Sequence, residues 1–224
     1  MKRNLILFLA ASFLTLLYTA AQNPPQQRGI SIQLATAVNA EAMPDADAPN
    51  AWIVTITADG GIYFGITPVT SEGLYYKMKP HARKLPKKLY LKVDAGTPYA
   101  SIQQALVGIR PFFESVVLLT ASPTSPTAGA IVPPNGIEVF IRAPGAELRP
   151  RIQLKAAGAS ALTINHEPVT WDLLPHTLET LLGDRKEKVV PVEVSGAAPF
   201  AQVVHVIDVC RSAGARVVLP LPTT

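Results

Sequence analysis

The sequence predicts an α+β fold built from two tandem small lobes, each running strand, helix, strand, helix, strand. Three observations predict it. The stretch "YFGITPVTSEG" around Pro68 is answered by "TINHEPVTWDL" around Pro168, and "PYASIQQALVGI" at Pro98 is answered by "PFAQVVHVIDVC" at Pro199. Between the two sets lies "TASPTSPTAGAIVPPNG", whose four prolines with Ser, Thr and Gly are linker chemistry. A repeat at a fixed offset is sought first, because missing it misreads the whole fold.

The elements follow in order within each lobe. A leading strand is expected from Gly29 in "GISIQL" and from Gly136 in "GIEVFI". Next come strands at Ile53–Thr57 and Arg151–Lys155, turned by "ADGG" and "AAGA", and return strands at Ile62–Phe64 and Leu162–Ile164. Gly65 and Asn165 hold equivalent places and enter left-handed backbone conformations most easily, so a tight turn is predicted there. Thr70 and Thr170 then fit helix N-caps, with Glu72 and Asp172 in the first turn, where the helix dipole favours negative charge. Pro80 and Pro175 fall inside that helical window and should shorten or kink it.

Strands at Leu89–Val93 and Val190–Val194 come next, and Pro191 suits an edge strand better than a central one. Proline at the first helical position loses no hydrogen bond, so Pro98 and Pro199 read as the starts of the second helices. Tyr99, Ile102, Leu106 and Ile109 in one copy, and Phe200, Val203, Ile207 and Cys210 in the other, are spaced as one apolar helix face. Pro111 ends the first of these helices and Gly214 stops the second. Closing strands are expected at Val116–Leu118 and Val217–Leu219.

The lobes therefore take residues 29–122 and 136–224, joined by a Pro/Ser/Thr-rich linker at 123–135. Ahead of them, "QNPPQQR" at 22–28 is a second linker. Residues 1–21 carry Lys2 and Arg3, an apolar run Leu5–Leu17 and the small triplet Thr19-Ala20-Ala21. That layout is either a cleaved signal peptide or a retained N-terminal anchor: the apolar core has signal-peptide length, yet Asn4–Ala21 as a helix spans about 27 Å at about 1.5 Å per residue. The lobes are accordingly expected on the exported side of a membrane, tethered at its surface or free.

Composition excludes several classes. Of the 224 residues 48% are hydrophobic and 16% charged, which is not a disordered chain, and 21 prolines oppose long uninterrupted helices. A net charge of +4 with no matching motif does not make a nucleic-acid binder. The single Cys210 lies on an apolar helix face and reads as a small core residue. His81, His166, His176 and His205 do not have the spacing of a metal site, no Gly-rich phosphate loop is present, and Asp59, Glu72, Asp94 and Asp172 fit turns and caps better than paired catalytic carboxylates. No catalytic residue, metal or cofactor is expected.

One surface is singled out. "YKMKPHARKLPKKLYLKV" contains Lys77, Lys79, Arg83, Lys84, Lys87, Lys88 and Lys92 with no acid between Gly73 and Val93, whereas the second lobe has mixed signs there. The first six are the candidate contact for an anionic surface, either lipid headgroups or the carboxylates of peptidoglycan; the alternative is a solvated face.

The order of strand, turn, "PVT" with a nearby acid, strand, "PY" or "PF" helix and closing "GARVVL" strand resembles the periplasmic domain of the ExbD/TolR family of biopolymer-transport proteins. The second lobe, "LTINHEPVTWDL" through "GARVVLP", is read as the closer match and the first as the looser one. The resemblance implies a non-enzymatic domain that works by contact, with ExbB/TolQ-like membrane proteins or another envelope protein as partners. It also implies lobes that dimerise, here as an internal pseudo-dimer within one chain or as a homodimer. The family's transmembrane helix carries a proton-coupling aspartate; Asn4–Ala21 holds only Asn4, Ser12, Thr15, Tyr18 and Thr19 as polar groups, so this chain is not expected to carry the proton itself.

Overall fold

The computed structural model describes residues 30–123, 134–141, 152–154 and 162–221. The segment at 1–21, the linker at 22–28, the central part of the 123–135 linker and the "AAGA" turn lie outside the described residues. The described residues from Ser31 onward form one compact unit.

Within that unit the described residues form twelve strands and four α-helices. After β1 (Glu41–Ala42) comes a series: β2 (Trp52–Ile56), β3 (Ile62–Phe64), β4 (Thr67–Val69), α1 (Ser71–Met78), β5 (Leu89–Val93), α2 (Tyr99–Ile109) and β6 (Ser115–Thr120). β7 (Asn135–Phe140) follows. The series then repeats as β8 (Ile152–Leu154), β9 (Leu162–Ile164), β10 (Glu167–Val169), α3 (Leu174–Leu182), β11 (Val189–Val194), α4 (Phe200–Ser212) and β12 (Arg216–Val218).

The strands join in one mixed sheet of order β10-β9-β8-β11-β12-β7-β6-β5-β2-β3-β4, with β1 added beside β7. β7 is the seam: it pairs antiparallel with β6 along Ser115↔Phe140 to Thr120↔Asn135, and parallel with β12 at Val218↔Phe140. Alternation along the strands divides the core. Leu89, Leu91 and Val93 pack with the helix residues Leu74, Ile102, Leu106 and Ile109 in the main cluster. Tyr90, Val117 and Leu119 belong to a second cluster, covered by Met43 and Ala46 from the segment ahead of β2.

The local chemistry accounts for most boundaries. Thr70 caps α1, its hydroxyl accepting from Gly73 N at 2.9 Å, with Glu72 in the first turn as expected. Gly65 has φ +61° and Asn165 φ +51°, so both hairpins turn where the sequence placed them; His166 also has positive φ, at +76°. Gly214, at φ +75°, ends α4: Gly214 N donates to Arg211 O at 2.8 Å and Ala215 N to Cys210 O at 2.9 Å, the paired bonds of a Schellman cap.

Five expectations are corrected. Thr170 does not cap α3 with its side chain, and Asp172 precedes the helix: α3 starts at Leu174, with Leu173 at the N-cap. Pro175 therefore does not kink α3; it lies in the first turn, where its missing N–H has no helical partner to lose. Pro98 and Pro199 stand at the N-cap, one residue ahead of the first helical position, with extended backbone. Pro191 is not on an edge strand. β11 pairs with β12 through Val189–Pro191 and with β8 through Val192–Val194, so the proline sits where the pairing changes side. Around Gly29 no leading strand is described; the chain from Ile30 makes only isolated bridges, Leu34↔Asp94 and Thr36↔Ala121, before the short β1.

The edges carry two strands that the sequence did not predict. β4 and β10 are the outermost strands, and each has proline at its centre, Pro68 and Pro168. Proline cannot donate to a sheet ladder, so it fits where its nitrogen faces away from the neighbouring strand, and there it blunts the edge against a further strand.

Candidate functional site

The six basic residues come from the last turn of α1 and its connection to β5, and all six are exposed. The fold divides them. Lys77 lies in the last turn of α1 and Lys79 directly after it, with the Lys79 ammonium 5.6 Å from the centre of the Tyr75 ring. Tyr75 also packs on Phe112 at 5.3 Å and edge-on against Tyr76, which is 59% exposed. His81 meets the Trp52 ring edge-on at 5.5 Å, which ties the short 3-10 turn Lys79–His81 to the start of β2.

Lys87 and Lys88 sit elsewhere, lining a cleft of about 320 Å³ with Asp45, Asn50, Trp52 and Tyr90. The Lys88 ammonium lies 3.8 Å from the Met43 thioether. Among the described residues none of the six cations pairs with a described carboxylate. Arg83 and Lys84 lie between the two groups. Burial, and then the nearby Asp45 carboxylate, push the Tyr90 hydroxyl above its ordinary pKa, so it stays protonated beside the lysines.

The remaining candidates are structural in their contacts. Asp59 accepts from the Thr57 hydroxyl and from Gly61 N, and those bonds hold its carboxyl below the usual range. Asp94 accepts from Gln33 N at 2.9 Å and Gly96 N at 3.0 Å. Cys210 is fully buried, and burial pushes its thiol up to about 12. His205 packs on Trp171 at 4.9 Å, beside an open cavity also lined by Ala201 and Gln202. Among the described residues no group of three His, Cys, Asp or Glu side chains could hold a metal ion.

A second arrangement joins the two halves. Pro98 and Pro199 form an antiparallel bridge. Tyr99 N donates to Ala198 O at 2.9 Å, and Phe200 N donates to Thr97 O at 2.9 Å; Ala100 N donates to Gly196 O at 2.9 Å, and Ala201 N donates to Ala95 O at 2.9 Å. Within each pair the donors lie 101 residues apart (Tyr99 and Phe200, Ala100 and Ala201) and so do the acceptors in the opposite sense (Ala198 and Thr97, Gly196 and Ala95), so each bond is the reciprocal of the other. The packing permits this closeness because the side chains are small: a Cβ on Gly196 would stand 3.2 Å from the Ala100 Cβ.

These elements define a mixed α+β domain whose two halves meet backbone to backbone. A family model described as Biopolymer transport protein ExbD/TolR matches residues 6–123, more than half of the chain, and the chain belongs to that family. The match falls on residues 6–123, whose lobe the sequence marks as the looser match, and not on the second lobe. Members are envelope-associated transport components, set in the inner membrane with a periplasmic domain, that work with ExbB/TolQ-type membrane proteins. Among curated proteins none matches the chain. Among the described residues no helix is long and apolar enough to cross a membrane.

Sequence reasoning missed Asp208. It is buried in α4, yet its carboxylate accepts from Val38 N at 2.9 Å and Asn39 N at 2.7 Å. The signal was present: under the same offset of 101 its counterpart in the first half is Val107, so an acid replaces an apolar residue on a packed helix.

Proposed function

We propose that this protein is a non-enzymatic component of biopolymer transport that acts through protein contacts in the periplasm, as two ExbD/TolR-like lobes paired inside one chain. The observation that carries the reading is the set of four reciprocal backbone hydrogen bonds around Pro98 and Pro199, in a chain of the ExbD/TolR family. Lobes that would otherwise pair between two chains here have their partner on the same chain. Sheet edges closed by Pro68 and Pro168 agree with a unit that is not built to add further strands.

The family match begins at residue 6, inside the apolar run Leu5–Leu17, which supports reading that run as an anchor in the inner membrane. Asn4–Ala21 contains no carboxylate, so a neighbouring subunit carries the coupling proton and this chain transmits or receives movement. Full-length protein purified in mild detergent from washed membranes should bring an ExbB/TolQ-type protein with it, identified by mass spectrometry. Recovery of the chain without such a partner, from the soluble periplasmic fraction and beginning near Gln22, contradicts the anchored reading.

A second reading, a periplasmic cell-wall module that binds peptidoglycan, is favoured by the exposed cations Lys77, Lys79, Arg83, Lys84, Lys87 and Lys88 set among Trp52, Tyr75 and Tyr76. Ammonium groups without carboxylate partners are drawn to polyanions, and the attraction fades with salt. Sedimentation with purified cell wall at low salt should be lost when Lys84, Lys87 and Lys88 are changed to Glu. Anionic-lipid vesicles in a parallel arm separate a lipid surface from the wall. Unchanged sedimentation in both arms rules the reading out.

A further inference from the structure

The segment ahead of β2 is a strap that touches both halves in turn. Gln33 N donates to Asp94 of the first half, and Ala95 N donates to Gln33 O at 2.7 Å. Ala35 and Ala37, both buried, exchange bonds with Ala121 beyond β6, at 2.9 Å and 3.1 Å. The strap then crosses to α4 of the second half. There the Asp208 carboxylate receives Val38 N and Asn39 N, one on each oxygen, and the Asn39 side-chain amide donates to the Asp208 backbone carbonyl at 3.2 Å. Arg211, three residues on, forms an ion pair with Glu41 of the strap. Finally β1 joins β7, with Met43 N donating to Pro134 O at 2.7 Å.

We propose that residues 38–41 and the Asp208–Arg211 face of α4 form a releasable clasp, through which displacement of the N-terminal segment reaches the second half first. The asymmetry of its chemistry supports this. In the first half the strap meets backbone groups and the half-exposed Asp94 carboxylate, whereas the α4 contacts depend on one carboxylate that is 6% exposed. A buried carboxylate is tolerated only while its hydrogen bonds are made, so lifting the strap leaves Asp208 unpaired and loosens α4 with it. Val107, at the equivalent place on α2, has no such dependence. Val38, 72% exposed, lies on the outside of the clasp and does not resist its opening by packing.

The test is hydrogen–deuterium exchange on the full-length protein and two variants. Asp208→Asn keeps the shape but replaces one acceptor oxygen with a donor group facing an N–H. Asn39→Pro removes two donors from the strap, its backbone N–H and its side-chain amide, without altering α4. In both, amides of residues 36–42 should exchange about ten-fold faster or more, while β5 and α2 keep their protection. In Asn39→Pro the amides at 206–212 of α4 should also loosen. Unaltered exchange at 36–42 overturns the clasp. Faster exchange throughout the molecule makes Asp208 a general stability residue and overturns it equally, and a loosened strap over an unchanged α4 overturns the coupling.

Discussion

Pro98 and Pro199 face each other in an antiparallel bridge, and every backbone hydrogen bond flanking them has its reciprocal 101 residues away. Both are N-caps of long buried helices, so the join fixes the start of α2 against the start of α4. Neither proline can donate, and the bonds fall on the residues beside them.

That relationship makes Tyr99 and Phe200 counterparts, and they differ by one hydroxyl. Tyr99 is 1% exposed and its hydroxyl has no partner among the described residues. A buried hydroxyl without a hydrogen bond costs about 1–3 kcal/mol. Tyr99→Phe should therefore be neutral or stabilising by about 1 kcal/mol in urea unfolding. A loss of more than about 1 kcal/mol, on the scale of a broken buried hydrogen bond, means the hydroxyl is bonded.

Gly108 sets how closely α1 approaches α2. A Cβ there would come within 2.3 Å of the Ser71 carbonyl oxygen, and the Ser71 hydroxyl donates to Gln104 O across the same contact. Glycine inside a helix ordinarily costs about 0.5–1 kcal/mol relative to alanine. Here overpacking should reverse that sign, so Gly108→Ala should destabilise by about 1–3 kcal/mol, read as a lower urea midpoint at unchanged slope. A raised midpoint shows that the helices are not held at this spacing.

Gly214 tests backbone strain by itself. Its φ is +75°, and the nearest atom to an added Cβ is Lys188 Cδ at 3.9 Å, so substitution brings strain without a clash. Gly214→Ala should cost about 1–2 kcal/mol, and Gly214→Asn less, because asparagine enters the left-handed region more readily. Equal losses for the two substitutions would place the cost in packing and not in the backbone.

Cys210 and Tyr99 give the pH dependence a sign. Burial raises the Cys210 pKa from 9.0 to about 12 and raises that of Tyr99 as well. Above the unfolded thiol value the unfolded chain loses a proton that the folded chain keeps, so stability falls as pH rises from about 9 towards 12, by up to about 1.4 kcal/mol per pH unit for each such group. Unfolding midpoints from pH 8 to 11 check this, and native Cys210 should resist thiol reagents at pH 8. A flat profile, or rapid labelling of the native protein, shows the thiol to be accessible.

Much of this fold was legible because local chemistry agreed with tertiary structure. Ile62–Phe64, Leu162–Ile164 and Leu89–Val93 are strands with the boundaries their apolar runs indicate. Gly65, Asn165 and Gly214 turn the chain where left-handed conformations are cheap. The misreadings came from context. Thr170 has the residue type of a cap, yet α3 begins three residues beyond the position equivalent to Ser71, with Trp171 turned onto His205 of α4. Pro191 looks like an edge residue because composition does not report that β11 changes neighbours in mid-strand. The basic run was read as one surface, while the fold divides it between the Tyr75 ring and the Trp52 cleft. The strap was not legible, since most of its bonds come from backbone N–H groups, which every sequence supplies; Asp208 in place of an apolar residue is the mark it leaves on α4.

The most direct measurement of the internally paired arrangement is a disulfide trap at the join. The full-length Ala100→Cys, Gly196→Cys protein places two thiols where the Cβ atoms stand 3.2 Å apart, near the short side of the disulfide range of about 3.5–4.5 Å, while Cys210 stays buried. Oxidation in native membranes should give a crosslink that migrates at the mass of one chain and resists denaturation. A crosslinked species at twice that mass, formed in place of the single-chain one, would show that the halves pair between chains and would contradict the account.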